Sequence, residues 1–458
     1  MTIGNVVICG AGIAGISAAY HLAVRRGVED VILVDERPPL SLTSDKSTEC
    51  YRNWWPGPGD AMVNLMNRSI DLLEELARET DNAFHLNRRG YLFVSADPDL
   101  VPELKRVAKE RCALGAGPLR VHSGGPGDPV YVPAPAQGFE GLPTGADLML
   151  DRALISKTFP FLSERVVAAL HIRRCGWMSA QQLGAYWLGQ ARERGVRLLR
   201  ARVEGVEVNG GRVRAVYLSG EAGAQTVSTD NFVIAAGPFT RQVGDMLGLD
   251  LPIFCELHGK IAFKDYGKVV SRDAPLFLWA DSQMLPWSQD DRALLAESEQ
   301  TQWMLQPFPP GPHGRPEGAS DSPMLLTLWT YEAHTVEPVW PTTFDPAYAD
   351  VVLRGLSRMV PGLQVYFDRA ARPVIDGGYY AKTRDNRPLI SPLPVKGAFI
   401  IGALSGFGIM AACASGELLA AHMTGGELPS YAPWFLLERY EDPEYQKLLG
   451  DWDDSGQL

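Results

Sequence analysis

The run Val6-Val7-Ile8-Cys9-Gly10-Ala11-Gly12-Ile13-Ala14-Gly15 constrains this chain more than any other feature. The apolar residues before Gly10 read as a short buried strand, and Ile13 to Arg26 read as an amphipathic helix. A second apolar run, Val31-Ile32-Leu33-Val34, ends at Asp35, twenty positions beyond Gly15. Strand, glycine turn, helix, strand and acid in that order form the fingerprint of a dinucleotide-binding βαβ unit. Gly10 permits the tight turn, Gly12 lets the backbone approach a pyrophosphate, and Gly15 lets helix and strand pack closely. The helix N-terminus offers that pyrophosphate N–H groups and the positive end of a dipole. Asp35 accepts hydrogen bonds from ribose hydroxyls and would repel a 2′-phosphate, which argues against NADP. The motif alone does not separate FAD from NAD.

A chain of 458 residues has room for two or three domain-sized units. Its hydrophobic fraction of 46% and charged fraction of 21% are those of an ordinary soluble globular protein. A net charge of −11 makes nucleic acid and anionic membrane surfaces poor partners. No basic or cleavable apolar stretch precedes the first strand, so a cytoplasmic location is expected. The one long apolar stretch, Ala398 to Met423, contains Ser405, Ser415, Glu417 and His422. It reads as strand, turn and helix, not as a membrane span. The cysteines at 9, 50, 112, 175, 255 and 413 show no CxxC or Cys/His spacing, so no metal centre and no disulfide framework are expected.

Asp60 to Thr80 carries Leu65, Met66, Leu72, Leu73 and Leu76 on one helical face. Asn87 to Val94 reads as a turn and strand, and Ala113 to Gly145 as an irregular Gly/Pro-rich loop. Ser179 and Gln182 open a helix through about Arg194. Val203–Val208 and Val213–Leu218, joined by Asn209-Gly210-Gly211, signal a hairpin. Phe232 to Gly237 is another strand entering a glycine turn, and Pro252 to Ala370 suggests antiparallel strands broken by a loop at Pro307 to Pro323. From Pro373 the strand–glycine–helix pattern returns, and an acidic tail after Glu441 reads as a solvated, loosely packed end. The expected fold is therefore α/β in two domains: a discontinuous Rossmann-like FAD-binding domain (1–84, 147–247 and 371–440) and an inserted, mainly antiparallel β substrate domain (85–146 and 248–370), followed by a tail (441–458). The late return to the nucleotide domain favours FAD, whose flavin end needs several chain segments around it.

Three segments together resemble the D-amino-acid oxidase superfamily of flavoenzymes, in its glycine oxidase and sarcosine oxidase branch. They are the fingerprint with Asp35, the run Val233-Ile234-Ala235-Ala236-Gly237, and the pair Tyr379-Tyr380-Ala381-Lys382-Thr383-Arg384-Asp385-Asn386-Arg387-Pro388-Leu389-Ile390 and Gly402-Ala403-Leu404-Ser405-Gly406-Phe407-Gly408-Ile409-Met410. The resemblance implies an FAD-dependent amine or amino-acid oxidase: hydride passes from the carbon beside the amine to the flavin, the imine hydrolyses, and molecular oxygen is the expected acceptor. A dehydrogenase feeding a quinone or carrier protein, or a non-catalytic flavin-binding subunit, are the alternatives. The expected partner is a small-molecule amine, and a homo-oligomer is left open.

With the fingerprint, the resemblance places cofactor contacts at Gly10, Gly12, Ile13, Ala14, Gly15, Asp35, Glu36, Arg37, Ser44, Ser47, Thr48, Val203, Ala236, Gly237, Gly402, Gly406, Phe407, Gly408, Ile409 and Met410. It implies that Arg52, Glu49, Tyr379 and Met410 meet substrate. Tyr380 is implied to line the same site, where His258 could accept the amine proton and Lys260 could promote oxygen reduction. His258 and Lys260 lie two apart on one strand and share a face. Where sarcosine oxidases carry a flavin-linking cysteine this chain has Gly378, and no histidine occurs between Thr43 and Arg52, so FAD is expected to be non-covalent. Met410 replaces a lysine and Glu49 an arginine, which favours a larger, less acidic or partly cationic amine. Of Trp54, Trp55, Trp177, Trp279, Trp303, Trp329 and Trp340, most are expected to pack, with one or two lining a cleft.

Overall fold

A computed structural model describes residues 4–221, 223–318, 321–367, 373–450 and 452. The fingerprint strand Val6–Cys9 pairs in parallel with Val31–Asp35 on one side and Asn231–Ile234 on the other. Among the described residues, the first sheet runs Gly223–Ser228, Arg212–Gly220, Arg197–Asn209, Val31–Asp35, Val6–Cys9, Asn231–Ile234, Ala398–Gly402 and Leu389–Pro392. Its residues alternate between two cores, as a pleated strand requires. Val6 and Ile8 pack against the helices Ile13–Tyr20, Ala61–Glu79, Ala180–Glu193 and Gly408–Thr424, while Val7 and Cys9 face the hairpin side. Ser179 caps its helix by accepting from Gln182 N–H. The hairpin turns at Gly210 and Gly211 with φ of 60° and 73°, a left-handed pair that glycine supplies without steric cost.

The second sheet runs Val374–Lys382, Phe254–Lys264, Met324–Leu328, His313–Pro316, Leu276–Trp279, Tyr91–Ser95, Ala168–Ile172, Ala146–Met149 and Leu119–His122. Its pairings are antiparallel except Leu276–Trp279 with Tyr91–Ser95 and Leu119–His122 with Ala146–Met149. Three strands lie elsewhere than the expected boundaries put them. Ala146–Met149 and Ala168–Ile172 belong to this second sheet, and so does Val374–Lys382, held along its length by Phe254–Lys264. The boundary expected at 370/371 falls outside the described residues.

Other segments also depart from the expectation. The Gly/Pro-rich stretch after Ala113 contains the strand Leu119–His122, and the one after Pro307 contains His313–Pro316. The helices Gln289–Ala296 and Tyr348–Ser357 interrupt the expected run of strands, and Tyr348–Ser357 buries nearly its whole length against the sheet. The C-terminal segment is not loose: Pro443–Gly450 is a helix whose Tyr445 hydroxyl donates to buried Asp385 at 2.5 Å. Residues 453–458 lie outside the described residues. The apolar stretch from Ala398 resolves into the strand Ala398–Gly402 and the helix Gly408–Thr424, and no described helix is long and apolar enough to cross a membrane.

Candidate active site

A cavity of about 530 Å³ opens where the parallel strands of the first sheet end. Gly10, Gly12, Ile13, Ala14, Asp35, Glu36, Arg37, Ser44, Ser47, Val203, Ala236 and Gly237 line it, as do Gly402, Gly406, Gly408, Ile409, Tyr379 and Tyr380 from the C-terminal segments. Two helices begin on it, one after Gly12 and one at Gly408, and neither is capped by the side chain of its N-cap residue. Gly10 has φ of 111°, and a β-carbon there would run into Ala235 O. A β-carbon at Gly15 would overlap Gly10 O, so Gly15 serves packing below the cavity and does not line it. Asp35 accepts from Ala11 N–H at 2.7 Å and from Arg37 N–H at 2.8 Å, one on each oxygen, and burial raises its pKa. Ser44 Oγ accepts from Ile13 N–H at 3.0 Å. Between the last strand and helix, Ala403 and Ser405 adopt φ of 51° and 45°, a strained state of the kind that collects at ligand clamps.

Besides Gly15, the expected contacts Thr48, Glu49, Arg52, Phe407 and Met410 lie outside the cavity wall. Phe407 is buried and packs edge-on against Trp55 at 4.9 Å, and Trp55 in turn carries the Arg52 guanidinium 4.4 Å above its ring. Met410 lies in the helical core, its carbonyl accepting from Ser69. Thr48 turns its carbonyl to Arg315, accepting at 3.0 and 2.7 Å. Glu49 accepts from Ala180 N–H at 2.8 Å at a helix N-terminus and stands 3.8 Å from Arg315, with burial raising its pKa. Met410 and Glu49, the two replacements that argued for a less acidic amine, lie outside the cavity lining.

His258, Lys260 and Tyr380 share one face of the second sheet, with Arg52 on the strand Cys50–Arg52 beside it. Lys260 Nζ donates to Ser47 O at 3.2 Å, and burial lowers its pKa. His258 bonds Glu256 Oε2 through Nε2 at 3.0 Å and Thr330 Oγ1 through Nδ1 at 2.9 Å. Glu256 also accepts from Lys382 Nζ at 2.9 Å. Arg52 is buried, donates through Nε to Trp54 O at 3.3 Å, and is an electrostatic neighbour of Tyr380. Tyr379 points to the opposite face. Its hydroxyl donates to Val339 O at 2.7 Å and accepts from Val339 N–H at 2.9 Å, pinning the segment of Pro338, Val339 and Trp340 that covers the cavity.

Sequence reasoning missed Glu256, Lys382 and His313. Glu256 was findable, since it stands two residues before His258 and so shares its strand face. His313 lies in a stretch rich in glycine and proline that carries no strand signal.

The sequence model of the family described as FAD dependent oxidoreductase (DAO) matches residues 5–422. Mitochondrial dimethylglycine dehydrogenase of Rattus norvegicus is 25% identical over 326 residues, 67% of this chain but 33% of that protein. The chain therefore spans about a third of the length of that relative. Among solved structures, L-proline dehydrogenase from P. horikoshii superposes with a TM-score of 0.71 at 19% identity, covering 96% of this chain and 98% of the other. Glycine oxidase from Geobacillus kaustophilus superposes with a TM-score of 0.70 at 17% identity, covering 96% and 99%. Likeness at these identities speaks for the fold.

Proposed function

The chain belongs to the FAD-dependent oxidoreductase (DAO) family, and from that premise we propose that it oxidises the carbon–nitrogen bond of an amine or amino acid, with FAD held non-covalently and oxygen as acceptor. The observation that carries this reading is the position of Tyr380. It lines the cofactor cavity, stacks on His258 and neighbours Arg52.

The residues present fit FAD. Backbone without β-carbons approaches at Gly10 and Gly12, two helix N-termini favour negative charge, and Asp35 has lone pairs left for ribose hydroxyls. When bound, FAD supplies the hydride acceptor. The helix N-terminus at Gly408 would stabilise charge developing on the ring during reduction. Arg52 offers a planar fork for a substrate carboxylate, and stacking on Trp55 holds it in place. Lys260 brings a cation to the loop residue Ser47, which lines the cavity. Gly378 leaves no thiol for a covalent link, and a β-carbon there would stand 3.2 Å from Lys46 Cβ.

Turnover of an amine panel, read by hydrogen peroxide release and by reduction of an added dye, tests the reading. Peroxide without dye supports an oxidase. Turnover only with dye makes the chain a dehydrogenase, and no turnover with either sinks the proposal.

A further inference from the structure

Two histidines stand on the substrate face of the second sheet, and their hydrogen bonds leave them in different states. His258 gives Nε2 to the Glu256 carboxylate and Nδ1 to the Thr330 hydroxyl. A carboxylate only accepts, so Nε2 carries the proton, Thr330 donates to Nδ1, and neither nitrogen is left for a ligand. His313 places Nδ1 2.8 Å from Gly311 O, which also only accepts. Its Nδ1 therefore carries the proton and Nε2 keeps a lone pair. Among the described residues no group bonds that Nε2.

The sheet register fixes where His313 faces. Lys260 stands opposite Leu328, and Leu328 opposite His313, so the three share one face. Lys260 on that face reaches the carbonyl of Ser47, a residue of the cofactor cavity. Arg52 and His258 are the electrostatic neighbours of His313, and burial together with Arg52 keeps its imidazole neutral, with a pKa lowered to about 4.

We infer that His313 recognises the substrate nitrogen: its Nε2 accepts a hydrogen bond from an N–H of the neutral amine, so the site takes primary and secondary amines and discriminates against tertiary ones. The inference rests on the amine-oxidoreductase reading above. Of the nearby carboxylates, Glu256 is engaged by His258 and Lys382, and Glu49 accepts from Ala180 N–H and faces Arg315. With Arg52 beside it, the site favours the uncharged amine over an ammonium ion. A neutral tertiary amine has no N–H and would leave that acceptor without the bond.

The test titrates the FAD-loaded full chain under nitrogen with glycine, N-methylglycine and N,N-dimethylglycine, and with proline and N-methylproline, reading flavin absorbance. The N,N-dimethyl and N-methylproline probes should bind at least about tenfold more weakly than their N–H-bearing counterparts, the worth of a buried hydrogen bond left unmade. His313→Leu should remove that difference by weakening the N–H-bearing probes, and His313→Gln, whose amide oxygen also accepts, should restore part of it. Equal binding of tertiary and N–H-bearing probes overturns the inference, and so does a His313→Leu protein that keeps the full difference. The comparison within the unaltered protein holds whether or not a variant folds. Absence of flavin reduction by these probes and by every other amine of a wider panel overturns the functional reading, and the inference falls with it.

Discussion

His258 lies flat against Tyr380, with ring centroids 3.8 Å apart and planes 16° from parallel. Behind it, burial pushes Glu256 up, but hydrogen bonds from His258 and Lys382 outweigh that and hold its carboxyl at about 2. Burial also pushes Tyr380 up to about 12, so it enters the cavity wall as a neutral phenol. We propose that His258, which the sequence offers as a candidate proton acceptor, serves instead as a platform that fixes the tyrosine.

His258→Asn should therefore lower kcat/KM by no more than about tenfold and leave the acid limb of its pH profile in place. A residue acting as general base contributes roughly 10²–10⁴-fold. A loss of that size with disappearance of the limb would restore His258 to the catalytic role.

Lys260 carries a prediction for the oxygen step. Burial lowers its pKa from the ordinary lysine value, so its cation is present below that lowered pKa and lost as pH rises through it. Reoxidation of the reduced protein by oxygen should slow as pH rises, at a pH below 10.5. Lys260→Met should slow reoxidation roughly 10²-fold, the scale of removing one preorganised electrostatic group, and affect amine-driven reduction far less. Stopped-flow mixing of the reduced protein with oxygen reads both.

Asp385 should set acid stability. Burial raises its pKa, but Arg439, Thr383 and Tyr445 together hold it at about 2, below its ordinary 3.8. The folded value is the lower one, so the contribution is complete above about pH 4 and is lost as pH falls through about 2. Asp385→Asn leaves the buried Arg439 guanidinium without its counter-ion and should cost about 3–5 kcal/mol at neutral pH. Denaturant unfolding at pH 7 and pH 3 checks both the loss and its shrinkage in acid.

Free flavin should appear in the supernatant when the loaded protein is precipitated with acid. Colour that stays in the pellet would show a covalent bond and remove the argument drawn from Gly378.

The fingerprint, the Asn209-Gly210-Gly211 hairpin and the Ser179 cap were legible because each rests on local chemistry. Leu119–His122 and His313–Pro316 were not, because their strand state comes from pairing with Ala146–Met149 and Met324–Leu328. Tyr379 and Tyr380 are adjacent on a strand and so face opposite sides, yet only the register with Glu256 and Leu257 says which of them shares a face with His258 and Lys260. The hydrogen bond from Ala180 N–H to Glu49 joins residues 131 positions apart and was likewise not legible in the sequence. The acidic tail looked loose because its anchor, Asp385, is far away in sequence.

The most direct test of the central claim is the visible spectrum of the FAD-loaded protein under nitrogen, titrated with a panel of amino acids, N-methyl amino acids and simple amines. The account predicts that a yellow protein bleaches with at least one amine. A protein that takes up no FAD, or a yellow one that no amine bleaches, would contradict it.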